Sequence, residues 1–296
     1  MNKELQLIVA DVKESTAVTY VNCYKRLRTE LQITDKRKTV KSVGIDLVES
    51  VLFNEKINSN ARAGILTVVK KLFYQEQYSA RIDAIDMKIR FQKRVLQVKK
   101  NKQLTKELPT YNEMISALKK VEDLPKYIIN WIFIYANARN ADVALIDVHQ
   151  PAADSRIDID SLDKNRNHLV LQDGYATLIR NVYKTVKTYG PKNNKIVARP
   201  FIDKLRENLD EDLTKPLVTN KKGEPIESNA FGAYLKKYRL LGLTESHIMK
   251  IVMRNVAERG SYNLLRKVSQ NRGAGIQTLL NEYDLSNIKE ANTLLK

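Results

Sequence analysis

Apolar residues recur along this chain at helical spacing far more often than they alternate. In "SNARAGILTVVKKLFYQEQ" (59–77), Ile65, Val68, Val69, Leu72 and Phe73 fall on one face, which predicts an amphipathic helix. "STAVTYVNCYKRLRTEL" opens on Ser15, a residue type that caps helix N-termini, and continues at helical spacing. Neither stretch contains proline, so residues 1–98 are expected to form a helical domain. "KKNKQLTKELP" (99–109) is polar, basic and closed by Pro109, and is expected to link two domains. Beyond it, Met114, Ala117, Leu118 and Val121 mark another amphipathic helix. "YIINWIFIYA" (127–136) is apolar on every side, so it is expected to be the buried central helix of a second domain, 110–296.

A different rhythm follows. "HLVLQD", "TLIRNVYKT" and "IVARPF", punctuated by "YGPKNNK", alternate as a small hairpin or three-stranded edge sheet would. Helical spacing returns from about 228. The expected class is mainly α, in two domains, with a small β-sheet in the second.

Charge changes the picture from fold to partner. Lys and Arg number 51 against 34 Asp and Glu, giving +17 and a pI near 9.7. Each phosphate neutralised by such a surface releases condensed counterions, so the excess favours a nucleic acid. The one cysteine, Cys23, excludes an intramolecular disulfide and a cysteine-based metal site. His149, His168 and His247 lie far apart in sequence without HxxxH spacing, so no metal is expected. There is no GxxxxGK phosphate loop and no other cofactor is expected. "MNKELQLIVADVKE" carries acids among its apolar residues, unlike a signal peptide, and no apolar run nears the roughly 20 residues of a membrane span. A soluble, cytoplasmic, nucleoid-associated protein is expected.

The order of the pieces resembles the tyrosine recombinases, the phage-integrase family that cuts and rejoins DNA. "STAVTYVNCYKRL" is similar to the first helix of their core-binding domain, and "LPTYNEMISALKKV" to the opening of their catalytic domain. "IYANARNADVALIDV" resembles the family's first-arginine motif, with Arg139 followed three residues later by Asp142. "KPLVTNKKGEPIESNAFGAYLKK" resembles the segment before the second cluster of active-site residues. The likeness implies a two-domain clamp on double-stranded DNA.

Cutting DNA through a tyrosine needs a phenolic nucleophile, a proton for the leaving oxygen and planar cations on the phosphate oxygens. Arginine suits the last task because its fork makes two parallel bonds to phosphate. By resemblance Arg139 is the first clamp, and a lysine of "YKTVKTYGPKNNK" is the proton donor, Lys187 ahead of Lys184. "ESHIMK" falls where the family has His-x-x-Arg: His247 matches, but Lys250 replaces the arginine and cannot offer a fork. Losing one such preorganised charge costs on the order of a hundred- to a thousandfold in rate. Arg254 lies one turn further on. Near Asn271 and Arg272 the family has a second His or a Trp, which is missing; Arg272 stands in as a phosphate contact. Tyr283 is the implied nucleophile, yet with Ile276, Leu279 and Leu280 it also completes a helical core stripe, and both readings stand.

Two departures in one constellation imply a DNA-binding regulator whose cutting is lost or vestigial, as in the SPβ-type phage lysogeny repressors, which look like members of this superfamily. An active recombinase or integrase is the alternative. Lys25, Arg26, Lys70, Lys71, Lys99, Lys100, Lys102, Lys184, Lys236 and Arg272 are the candidate DNA contacts. The final "DLSNIKEANTLLK" is a candidate for self-association.

Overall fold

The computed structural model describes residues 3–283, apart from Gln75, 153–154, 211–212, Lys221 and 227–230; the candidate self-association segment 284–296 lies outside the described residues. The described residues divide into two compact units, one up to Lys102 and one from Gln103 onward.

The first unit is helical: α1 (Lys3–Val9), α2 (Glu14–Glu30), α3 (Ile45–Leu52), α4 (Ser59–Phe73) and α5 (Glu76–Glu107). Helix α2 begins one residue before Ser15, with Lys13 at the N-cap. Helix α4 is capped by Asn58, whose Oδ1 accepts the Ala61 N–H at 2.9 Å. All five apolar residues of its predicted face are buried, packed with Leu27, Val48, Leu52 and Ile82. An acid lies inside this core. The Glu4 carboxylate accepts from the Tyr24 hydroxyl at 2.7 Å and from the N–H groups of Val40 (2.9 Å) and Lys41 (3.0 Å). It thereby ties the first helix to the second and to the loop before the third.

The segment read as a linker, 99–109, is helical through Glu107 as the end of α5, and the division between units falls inside that helix. Its Lys, Gln, Leu and Glu residues are good helix formers, and no proline intervenes before Pro109.

The second unit carries α6 (Tyr111–Lys119), started by a capping box between Thr110 and Glu113. Helix α7 (Leu124–Trp131) starts on Asp123 and passes into one π-helical turn, Ile132–Ala136. After the five-residue α8 (Asn140–Ala144) come β1 (Ile146–Gln150), β2 (Asn167–Gln172), β3 (Tyr175–Arg180), the one-turn α9 (Val186–Tyr189), β4 (Lys192–Ile196), α10 (Arg199–Asn208) and β5 (Leu213–Pro216). Then follow α11 (Phe231–Tyr234), α12 (Glu245–Glu258), α13 (Tyr262–Arg272) and α14 (Ile276–Tyr283).

The sheet has five strands in the order β4-β3-β2-β1-β5, with β1 and β2 parallel and the other pairs antiparallel. It is larger than the expected three-stranded edge. "IVARPF" is mostly not strand: β4 stops at Ile196, and Pro200 opens α10, where its missing N–H costs nothing. As expected, 127–136 is buried almost throughout; Tyr135 alone is well exposed there, while Trp131 stacks on Phe201 with ring centres 4.2 Å apart.

Candidate phosphate-binding site

The π-turn creates the site. It ends at Asn137, whose φ of 51° is left-handed, a conformation that asparagine tolerates better than most residues. The Asn137 side chain donates back to the Ile134 carbonyl at 3.0 Å, fixing the reversal. The chain therefore turns sharply and delivers Arg139 to the N-cap of α8, where its N–H donates to Asp142 Oδ2 at 3.0 Å. Asp142 is 1% exposed and faces the wholly buried Arg180 at 3.8 Å. Asn167 closes this layer, donating to the Asp142 and Val182 carbonyls (2.7 and 3.0 Å) and accepting the Val182 N–H (2.8 Å).

From the other side comes Arg272, the last residue of α13. Its Nη1 donates to the Asn137 and Ala138 carbonyls at 3.2 and 2.9 Å. Its Nη2 pairs with Glu245 Oε1 and donates to the Tyr283 hydroxyl at 3.1 Å. Glu245 Oε2 also accepts the Asn140 N–H at 3.4 Å. The site thus joins the starts of α8 and α12 to the ends of α13 and α14.

Lys192 is the residue that sequence reasoning missed. It opens β4 directly opposite Arg180 in the ladder, and its Nζ donates to the Gln270 carbonyl. The same ammonium lies 5.0 Å from the Tyr183 ring centre and 5.4 Å from that of Tyr189. Arg180 donates to the Asn271 carbonyl at 2.7 Å and Thr185 to that of Gly273 at 2.8 Å. Three donors from the β3–β4 region thus meet the carbonyl end of α13, where cations are favoured. Gly273 is required there: its φ is +60°, and a Cβ would stand 2.7 Å from Thr185 Oγ1 and 3.0 Å from the Tyr183 ring.

The charges press on one another. Burial, then the Arg180 and Arg139 guanidiniums, push Lys192 down to about 8, with Asp142 opposing. Burial, followed by Arg272, also lowers Arg139, and burial lowers Arg180. For Arg272, burial works downward, but the charges and hydrogen bonds of Glu245 and Tyr283 outweigh it and leave the group above its ordinary value. Burial raises Asp142 against the pull of the Arg139 N–H and the nearby arginines. Arg139 Nη1 and Arg180 Nε and Nη1 are buried without a hydrogen-bond partner. Four cations (Arg139, Arg180, Arg272, Lys192) against two carboxylates (Asp142, Glu245) leave two positive charges and unfilled donors. An anion with several acceptor oxygens, such as phosphate, matches that need.

Among the sequence candidates, the structure brings together Arg139, Arg272 and Tyr283. His247 sits half-buried in the first turn of α12, its N–H held by the Thr244 cap at 3.2 Å. Lys250 is 4% exposed, within the buried run Ile248–Met253. Arg254 donates to the Pro109 carbonyl at 2.6 Å, which accounts for one of its bonds away from the cluster. Lys184 and Lys187 are exposed on and before α9. Lys25, Arg26, Lys99, Lys100 and Lys236 are exposed, Arg26 beside Glu30 at 3.8 Å. Lys70 pairs with Asp86 at 2.5 Å and Lys71 donates to the Ala10 carbonyl at 3.3 Å. The side chain of Lys102 lies outside the described residues.

Two histidines written off as distant are in contact: His149 Nε2 and His168 Nδ1 are 3.0 Å apart across the parallel β1–β2 pair. Among the described residues, no group of three or more His, Cys, Asp or Glu could hold a metal, and no helix is long and apolar enough to cross a membrane.

No family model matches the sequence, and neither does any curated protein. Among solved structures, the crystal structure of XerA recombinase is similar at 13% identity and a TM-score of 0.37, over 100% of this chain and 98% of that one. So loose a superposition decides nothing about the site.

Proposed function

We propose that this chain is a sequence-specific double-stranded-DNA-binding protein whose second unit seats a backbone phosphate without cutting it, acting as a transcription regulator of the phage or prophage repressor kind. The observation that carries this reading is the state of Arg272. Its guanidinium is committed to two main-chain carbonyls, Glu245 and the Tyr283 hydroxyl. An arginine so engaged holds Tyr283 in place, and with Nη1 kept on two carbonyls it cannot offer both arms of its fork to a phosphate in flight. Lys250, at the position where a second fork belongs by resemblance, is buried. Half-buried Arg139 keeps one donor without a hydrogen-bond partner, which a phosphate oxygen reaching it would fill, while wholly buried Arg180 adds its charge from behind. The basic residues of both units, Lys25, Lys99, Lys100 and Lys236 among them, supply further phosphate neutralisation.

One observation favours a second reading, an active recombinase: Tyr283 reaches the cation cluster, and Lys192 at about 8 is suited to giving up a proton near neutral pH. A suicide-substrate assay decides between them. Genomic fragments that the protein retains are rebuilt with a nick beside each candidate phosphate and incubated with the protein. Retention with no covalent adduct, unchanged in Tyr283→Phe, is expected. An adduct that survives denaturation and disappears in Tyr283→Phe would overturn the regulator reading in favour of the recombinase.

A further inference from the structure

Glu245 is a carboxylate set among the cations of the candidate phosphate site. Its side chain is 13% exposed, its Oε1 sits on Arg272, and its Oε2 faces the Asn140 N–H at 3.4 Å. These are the donors an incoming phosphate oxygen would use: a guanidinium nitrogen and a main-chain N–H at a helix start. The carboxylate also acts on Arg139, whose charge it favours. We infer that Glu245 is an internal competitor for phosphate, occupying Arg272 while DNA is absent and holding DNA affinity below what the four cations would otherwise give. The inference rests on the pocket being a phosphate site.

If Glu245 served only to orient Arg272, removing its charge would loosen the arginine and weaken DNA binding. If it competes, removing its charge removes an attraction that a phosphate must otherwise displace, and DNA binding tightens. Glutamine keeps the shape and an acceptor oxygen for Arg272, so Glu245→Gln separates the two roles. The two carbonyl bonds of Arg272 Nη1 do not involve Glu245 and remain to hold the arginine.

The test measures binding of a 30-base-pair duplex by fluorescence anisotropy, with inorganic phosphate as a competitor. Glu245→Gln is expected to tighten duplex binding by about tenfold at low salt and to make phosphate a stronger competitor. Glu258→Gln makes the same change of net charge at an exposed position of α12, and is expected to shift affinity by no more than about twofold. In an Arg139→Met background the gain from Glu245→Gln should shrink, since the pocket itself is then disabled. Equal or weaker binding by Glu245→Gln overturns the inference, as does a gain matched by Glu258→Gln. If Arg139→Met alone leaves affinity untouched, the phosphate-pocket reading falls instead, so the two failures are distinct. Should Glu245→Gln fail to fold, Glu245→Asp draws the carboxylate back by one methylene. It is expected to give a smaller gain in the same direction, and unchanged or weaker binding overturns the inference.

Discussion

Replacing Arg139 by methionine should make the protein more stable and a worse DNA binder. Arg139 Nη1 is buried without a hydrogen-bond partner, and burial followed by Arg272 disfavours its charge. An unsatisfied buried donor costs about 1–3 kcal/mol, more when charged. Methionine keeps most of the apolar stem, so packing is largely retained. Asp142 keeps its bond to the residue-139 N–H and its pairing with Arg180, neither of which uses the lost guanidinium. Setting the lost attraction to Asp142 and Glu245 against the relieved donor leaves a net gain of about 1 kcal/mol. For a unit of this size that raises Tm by about 2–4 °C. DNA pulls the other way: a charge-assisted contact to phosphate is worth about 2 kcal/mol, or roughly thirtyfold in Kd. The slope of log K against log salt should fall by about 0.9, the signature of one phosphate contact. Calorimetry gives the Tm and anisotropy across a salt series gives the rest. A lower Tm together with weaker binding would mean that Arg139 is a structural residue. Unchanged affinity would mean that no phosphate sits there.

Three further outcomes follow from other parts of the molecule. Glu4→Ala removes the acceptor shared by the Tyr24 hydroxyl and the Val40 and Lys41 N–H groups, so urea unfolding of the first unit should show a loss of about 2–4 kcal/mol; a loss under about 0.5 would contradict the hub role. Lys192 should shed its proton as pH rises through about 8, so DNA affinity should drop by roughly fivefold between pH 7 and 9, and Lys192→Arg should flatten that profile; parallel profiles would exclude Lys192 from the contact. His149 is held below its ordinary value by burial and by His168, with Asp147 opposing. The unfolded chain therefore binds the proton first: the stabilisation is complete above about pH 6.5 and is lost as pH falls below it. Wild-type stability should decline between pH 6.5 and 5 more steeply than that of His149→Gln, and equal slopes would rule the pair out as the cause.

The tautomers of the histidine pair explain why His149 takes up a proton reluctantly. The Asp163 carbonyl can only accept, so His168 Nε2 carries hydrogen, at 2.8 Å. In the neutral pair His168 Nδ1 then accepts from His149 Nε2, and His149 Nδ1 accepts from the Thr214 hydroxyl at 3.1 Å. One added proton must be buried; a second sets two N–H groups against each other.

Helices were legible in the sequence because burial on one face writes itself as a 3.6-residue rhythm. Ile65, Val68, Val69, Leu72 and Phe73 announced α4, and Met114 and Leu118 announced α6. The sheet was less legible. Strand β1 follows α8 after a single residue and is buried on both sides at most positions, so it shows no alternation. Strand β5 is four residues ending in proline, too short to register as a pattern. The π-turn leaves no compositional mark within an all-apolar run, yet it aims Arg139. Contacts between strands were invisible for a different reason. His149 and His168 meet because parallel pairing sets β1 beside β2, and no local spacing encodes that.

Lys192 shows how strand register, which local spacing does not encode, brings a lysine into the cation cluster. Lys184 and Lys187 precede the Gly-Pro turn, where the chain forms α9 and leaves both exposed. Tyr189-Gly190-Pro191 ends that turn, and the next residue, Lys192, starts the strand opposite Arg180. From Arg180, at the end of β3, the pairing fixes Lys192 across the ladder and Asn194 two residues on; Asn194 Oδ1 is 3.3 Å from Arg180 Nη2. Two like charges placed side by side would repel, and the carbonyl end of α13 relieves them, Gln270 taking Lys192 and Asn271 taking Arg180. The same helix ends on Arg272, which reaches Tyr283 and Glu245. At "ESHIMK" Lys250 is buried in α12, and the guanidinium that reaches the start of that helix comes from the end of α13. Arg272 arrives there already paired to a carboxylate two residues before His247. A cluster of cations that already holds a carboxylate makes the charge on Glu245 the most informative single change with which to test the proposed phosphate contact.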